Sequence, residues 1–209
     1  MFSSMSSADR IFTIIGIILL IAALLLTIYN MLDGRRAENV NQEVVDKIHE
    51  TAAPLDSPVL NDSMGILKPV MLEGRDYVGL LTIPSLNREL AVQESCNDEN
   101  LREGPCVYSG DPYSGDMVIA AHNYKNIFGG IYRLTPGSMI EFHDMRGNSF
   151  SYEVCCTEEI QPDDISAMTE SGYDLTLFTC SAGGSKRLAV RCALKHIGTF
   201  SSSCSKGQA

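Results

Sequence analysis

Three residues of this chain have the types and placements that nucleophilic thiol chemistry requires. Cys180 closes the apolar run DLTLFTC (174–180) and is followed by the turn-forming SAGGS. Seven residues on, Arg187 stands at the head of the next run, KRLAVRCALKH (186–196). A hairpin through that turn brings the cation close to the sulfur. His122 follows the apolar run DMVIAA (116–121) and precedes NYKNIFGG, so it too lies where a strand opens onto a loop. A thiol acts as a nucleophile near neutral pH only with a proton acceptor or electrostatic help. An imidazole supplies the first. A guanidinium, whose pKa lies above ~12, is suited to stabilising charge and not to accepting a proton.

The remaining cysteines and histidines read differently. Of the seven cysteines, Cys192 shares the strand parity of Leu188, Val190 and Leu194, which marks it as a small buried hydrophobe. In SFSYEVCCTEEI (149–160), Phe150, Tyr152, Val154 and Cys156 alternate with Ser149, Ser151, Glu153 and Cys155. That period sets the adjacent Cys155 and Cys156 on opposite faces. No CxxC occurs, which argues against a structural zinc site. Cys96 and Cys106 are able to pair in an oxidising setting or to stand as separate thiols. Cys204 falls in a loose tail. Among the four histidines, His49 precedes the folded domain, His143 closes a strand before a hairpin turn, and His196 lies near the domain's end.

The elements that position these residues are mostly strands. YVGLLTIP (77–84), RELAV (88–92), DMVIAA, SMIEFH (138–143), SFSYEVCCTEEI, DLTLFTC and KRLAVRCALKH alternate or run apolar between turn signals. DMRGN joins two of them as a hairpin connection. Short helices are expected at DENLREG (98–104) and NIFGGIYRL (126–134). Many short strands with intervening turns predict a mainly β fold, a sandwich or a closed barrel, and a closed barrel of about eight strands is the expected form.

Ahead of the barrel, Ile11 to Leu32 contains no charged residue, and ~20 apolar residues are what a hydrocarbon core demands of a helix. The stretch exceeds the ~7–15 residues of a signal-peptide core, and no A-x-A-like cleavage site follows it. Tyr29 stands where an interfacial aromatic belongs. The predicted organisation is an N-terminus at 1–10, a membrane-spanning helix at 11–32 and a tether at 33–73. A catalytic domain at 74–198 and a flexible tail at 199–209 complete it. Within the tether, Val40, Val44, Val45 and Ile48 recur at helical spacing, and a Pro-rich linker follows. With 26 acidic and 16 basic residues the formal charge is −10, and no basic patch suggests nucleic acid.

TLFTC at 176–180, HNY after an apolar strand and an arginine opening the strand after the cysteine together resemble the sortases, membrane-tethered cysteine transpeptidases of Gram-positive bacteria. VGLLTIPSLNRELAV (78–92) is similar to the family's first barrel strands, and the resemblance covers about residues 76 to 196. It implies Cys180 as nucleophile, His122 as general acid and base, and Arg187 as the cation that holds substrate and stabilises the oxyanion. Thr179 matches the threonine beside the nucleophile that shapes the substrate groove. Arg191 is the competing arginine, read here as a surface charge further up the barrel wall.

The resemblance implies cleavage of an LPxTG-like or NPxTN-like sorting signal on surface or pilin proteins. The acyl group would pass to a peptidoglycan precursor or pilin amine, with no cofactor. It places the first residues in the cytoplasm and the barrel outside a single-pass membrane anchor. Arg35 and Arg36 against the lone Arg10 favour the opposite orientation by flanking charge alone. The segment TEEIQPDDISAMTESGYD (157–174) would read the sorting signal. Its Glu158, Glu159, Asp163 and Asp164 would be the candidate calcium ligands, as in some class A relatives, but they lack calcium-ligand spacing and read as a solvated acidic loop with no metal. HNYKNIFGGIYRL and the tether lean towards class B, although the chain is short for that class's helical insertion. No DPF/W-like lid precedes the barrel; DPY at 111–113 lies inside it. A thiol hydrolase or peptidase of the same fold, and a non-catalytic membrane-anchored surface module, are the alternatives. The SHGC arrangement of L,D-transpeptidases is absent.

Overall fold

A computed structural model of the chain describes residues 7–51, 65–181 and 183–199. Residues 52–64 of the Pro-rich linker, residue 182, the tail from 200 with Cys204 and the first six residues lie outside the described residues. The helix α1 runs unbroken over Ser7–Thr51. Residues up to Arg36 form one compact unit and Ala37 onward belongs to the second. In the first unit the apolar side chains from Ile11 to Leu32 are exposed, and Thr27 satisfies its hydroxyl on the Ala23 carbonyl at 2.8 Å. A helix of this length and composition is able to cross a bilayer.

The second unit is a barrel. Its strands are β1 (Val70–Leu72), β2 (Arg75–Ile83), β3 (Arg88–Gln93), β4 (Cys106–Ser109), β5 (Met117–Ala120), β6 (Met139–Asp144), β7 (Asn148–Ile160), β8 (Leu175–Cys180) and β9 (Arg187–Thr199). They form one sheet in the order β1-β2-β3-β4-β5-β8-β9-β7-β6, and β6 pairs back on β2. Eight strands therefore close on themselves, with β1 added at the edge. At the closing seam a Cβ on Gly79 would lie 2.2 Å from the His143 carbonyl oxygen, so only glycine lets β2 approach β6 there. Period-2 alternation fills the interior: Leu81, Leu90, Ile119, Phe142, Tyr152 and Val190 all belong to one buried cluster.

The outer wall is covered in two places. The C-terminal half of α1 lays Val44, Val45 and Ile48 on Tyr77, Leu80 and Ala91. Asn41 completes the seat by donating to the Glu89 carbonyl at 3.0 Å and accepting from the Ala91 amide at 2.9 Å. On another sector, α3 (Ile165–Thr169) brings Met168 onto Val118, Ile160 and Ala189.

Three local expectations are corrected. The 126–134 stretch forms turns and a 3-10 turn at Ile131–Arg133 instead of an α-helix. Gly129 and Gly130 carry little helix propensity, and the Gly129 amide folds back onto the Tyr124 carbonyl at 2.7 Å. The segment still buries Ile127, Phe128 and Ile131. Cys156 leaves the apolar face of β7 because the register shifts between Val154 and Cys156. Cys155 is the inserted residue of this bulge, so Cys156 pairs with Arg191 on the outer side and Cys155 is exposed. The two cysteines thus do not straddle the sheet. The segment 157–174 is not wholly loop, since β7 continues to Ile160 and α3 follows.

Candidate active site

Strand parity and register bring His122, Cys180 and Arg187 together. In β8, Leu175 and Leu177 point into the barrel, so Thr176, Phe178 and Cys180 face outward. Cys180 is the direct antiparallel partner of Arg187, which places both side chains on the same outer face. The hairpin between them is tied at its neck: the Ser181 amide donates to the Lys186 carbonyl at 2.9 Å and the Ser181 hydroxyl accepts from the Lys186 amide at 3.2 Å.

On the other side, β5 runs parallel to β8 with Met117 opposite Leu175 and Ala120 opposite Phe178. The pairing continues past the strand end, because the Ala121 amide donates to the Phe178 carbonyl at 3.2 Å. The Thr179 hydroxyl donates to the Ala121 carbonyl at 2.8 Å. Continued two positions, this register sets His122 level with Cys180. The imidazole leans on the Tyr124 ring, with centroids 5.1 Å apart. Thr179 is buried and its hydroxyl is engaged with the backbone, so its contribution is to fasten the strand that carries His122.

All four residues line one cavity of about 350 Å³, of a size suited to a short ligand segment. Its floor includes Ala120 and Phe178, with Tyr108 packed edge-on against Phe178 at 5.2 Å. One wall is the segment from Gln161 to Met168, including α3. The opposite wall is Cys96, Asn97 and Leu101 at the short helix α2 (Asp98–Glu103). Cys96 is disulfide-bonded to Cys106 on β4, and Arg75 holds α2 from outside through Glu99 and Glu103 at 2.9 and 2.6 Å. The helix at 98–104 was legible in the sequence, but its place as a cavity wall was not. Of the two readings open for Cys96 and Cys106, a bridge or separate thiols, the structure shows the bridge.

The two arginines are in opposite circumstances. Arg187 lines the cavity, and the hydrogen bond found for its guanidinium among the described residues is a long 3.5 Å contact to the Lys186 carbonyl. Arg191 is not a surface charge. It is 1% exposed, because α3 and the end of β7 cover that part of the wall, and it pairs with Glu158 at 2.6 Å. Cys192 is buried in the core, where desolvation pushes its thiol pKa up and leaves it unsuited to nucleophilic work. His143 is also buried, beside Glu141 on β6, and does not line the cavity. The acidic residues of 157–164 are dispersed: Glu158 on Arg191, Glu159 on Lys186 and Asp164 capping α3. Among the described residues no group of three or more His, Cys, Asp or Glu is placed to hold a metal ion.

The chain is 28% identical to Sortase A of Bacillus anthracis over 201 residues, covering 87% of this chain and 93% of that protein. It is 29% identical to Sortase D of Bacillus subtilis (strain 168) over 107 residues, covering 49% of this chain and 53% of that protein. Among solved structures, the fold matches Streptococcus pneumoniae Sortase C with a TM-score of 0.58 at 20% identity, covering 76% of this chain and 100% of that one. Listeria monocytogenes sortase A matches with a TM-score of 0.53 at 24% identity, covering 60% of this chain and 92% of that one. The Sortase domain family matches residues 81–195, a stretch that includes His122, Cys180 and Arg187. The chain therefore belongs to the sortase family, cysteine transpeptidases of cell-wall anchoring.

Proposed function

We propose that this chain cleaves a C-terminal sorting signal of the LPxTG or NPxTN kind and transfers the acyl group to an amine of the cell wall or of a pilin. The observation that carries this reading is the level placement of His122, Cys180 and Arg187 on adjacent strand ends lining one cavity. The Cys180 thiolate attacks the carbonyl carbon of the signal's threonine. The resulting oxyanion is stabilised by the Arg187 guanidinium, which keeps its proton throughout. As the C–N bond breaks, His122 donates a proton to the departing amine, leaving an acyl thioester on Cys180. The acceptor amine then attacks the thioester and gives up its proton to His122, and the Cys180 thiolate leaves. Thr179 supports substrate binding by fastening the strand end at the cavity floor.

In this reading α1 anchors the protein and the barrel works outside the membrane. The Cys96–Cys106 disulfide supports that side, since such bridges persist in oxidising compartments, whereas Arg35 and Arg36 weigh against it. Proteolysis of intact protoplasts is expected to digest the barrel; a protected barrel would reverse the orientation.

The test of the activity uses the full-length chain in detergent micelles with a panel of sorting-signal peptides, read by intact mass. A mass gain lost in Cys180→Ala and discharged onto added amine is expected. Discharge at the same rate without amine would identify a thiol hydrolase. No adduct with any peptide would end the transpeptidase reading.

A further inference from the structure

Arg191 sits on β9 four residues beyond Arg187, with the same strand parity, yet its guanidinium makes four hydrogen bonds. Nε donates to Glu158 Oε1 at 2.6 Å, and Nη1 donates to Thr176 Oγ1 at 2.9 Å and to the Met168 carbonyl at 3.3 Å. Nη2 donates to the Ala167 carbonyl at 2.5 Å, and the Tyr173 ring lies 6.0 Å from Cζ. One side chain on β9 thereby reaches β7, β8 and α3.

The two carbonyls matter most. They belong to the last turn of α3, where helical carbonyls lack intrahelical partners and where a cation complements the helix. A helix of five residues has little stability of its own, so its position is set by what it is bonded to. Asp164 caps the start by accepting from the Ala167 amide at 3.0 Å. Met168 packs into the small apolar cluster on the outer wall. The end is held by Arg191. Asp164, Ile165 and Met168 are also the residues of α3 and its cap that line the cavity containing Cys180.

We propose that Arg191 is a positioning residue for acyl-donor binding: it fastens the α3 wall of the cavity to the barrel and so sets the shape of the donor site without touching the reacting atoms. The inference rests on the cavity being the acyl-donor site. It assigns the chain's two outward-facing arginines of β9 to separate tasks. Arg187 acts on the charge developed in the reaction, while Arg191 acts on the geometry that admits the substrate.

The test measures kcat and KM with the full-length chain in detergent on a sorting-signal peptide that wild type turns over. Hydrogen exchange at residues 165–170 is followed in parallel. Arg191→Met keeps the volume but donates no hydrogen bond. It is expected to raise KM about tenfold, the scale of losing hydrogen bonds from a charged donor, with kcat within about twofold of wild type. Exchange over 165–170 should accelerate, and alkylation of Cys180 by a small thiol reagent, mapped by mass, should keep its rate. Arg191→Lys should recover part of the KM.

Should Arg191→Met fail to fold, Glu158→Gln at the exposed rim weakens the same clamp, and it should shift KM and exchange in the same direction by a smaller amount. A fall in kcat with unchanged KM, or unchanged KM and exchange in folded variants, would overturn the inference while leaving the transpeptidase reading intact. A wild type inert towards every sorting peptide, in contrast, would remove that reading and this inference with it.

Discussion

Cys180 and Arg187 are direct cross-strand partners in the β8–β9 ladder. Their side chains therefore lie on one face at the same end of the barrel, and in the proposed reaction a charge formed at a carbonyl bonded to the sulfur would arise beside the guanidinium. The tied neck at Ser181 and Lys186 fixes that pairing without help from substrate. The backbone that carries the cation is thus fixed beforehand, and preorganisation is the condition under which electrostatic stabilisation is worth most.

The first prediction concerns the proposed nucleophile, Cys180, and its proposed proton carrier, His122. Cys180→Ala should remove thioester formation altogether, and His122→Ala should lower kcat by roughly 10²–10⁴. Both residues are only half-buried at the cavity, so Tm should move by no more than about 2 °C. Mass spectrometry of the acyl-enzyme and thermal melts check both halves.

Removing the cation should have a distinct kinetic signature. Arg187→Ala is expected to lower kcat by roughly 10²–10³, the scale seen when one oxyanion donor is deleted. Among the described residues its guanidinium makes one long hydrogen bond, to the Lys186 carbonyl, so little folding stability should be lost. An Arg187→Ala enzyme with wild-type kcat and a raised KM would show that the guanidinium only binds substrate.

The Cys96–Cys106 bridge closes a loop with a sequence separation of 10 residues and joins the α2 wall to β4. Cys96→Ala with Cys106→Ala should destabilise the fold by about 3 kcal/mol, or roughly 6–10 °C in Tm. Reduction of wild type should give a similar shift and have no further effect on the double variant. Melts with and without reductant decide it.

His143 gives a pH dependence with a definite sign. Burial holds its pKa below the ordinary 6.5, opposed by the charges of Glu141, Glu89 and Asp144. The unfolded chain therefore takes up a proton that the folded barrel resists, and stability falls as pH drops through the ordinary value. Tm should decline between about pH 7 and pH 5, and His143→Asn should show a shallower decline. An identical slope in the two proteins would assign the acid sensitivity to other groups.

The clamp on α3 gives the remaining contrast. Its signature is a KM effect at Arg191 set against a kcat effect at Arg187, two residues of one strand that differ only in what covers them.

Some of this was local enough to read directly. Alternation is a two-residue property, so Cys192 in the core, Cys180 at a strand end and His122 after an apolar strand followed from neighbouring residues alone. The same locality failed at Cys155 and Cys156. A bulge is a mismatch between two strands, and nothing within SYEVCCTEE marks where β9 will force it. The status of Arg191 failed for a similar reason. Its parity was legible, but whether an outward face meets water depends on a segment more than twenty residues away in the chain folding over it.

The sequence by itself determined the mainly β class, the apolar helix long enough to span a bilayer and the types of the three candidate catalytic residues. Those follow from periodicity, from the length of an uncharged run and from the chemistry of single side chains. Only the tertiary structure decided which residues are neighbours: the parallel register that levels His122 with Cys180, the disulfide that joins α2 to β4, and the burial that turns Arg191 from a free charge into a clamp. Strand order and register arise from long-range pairing, where contacts between distant residues must offset the entropy of closing the chain between them. No short window of residues holds that balance.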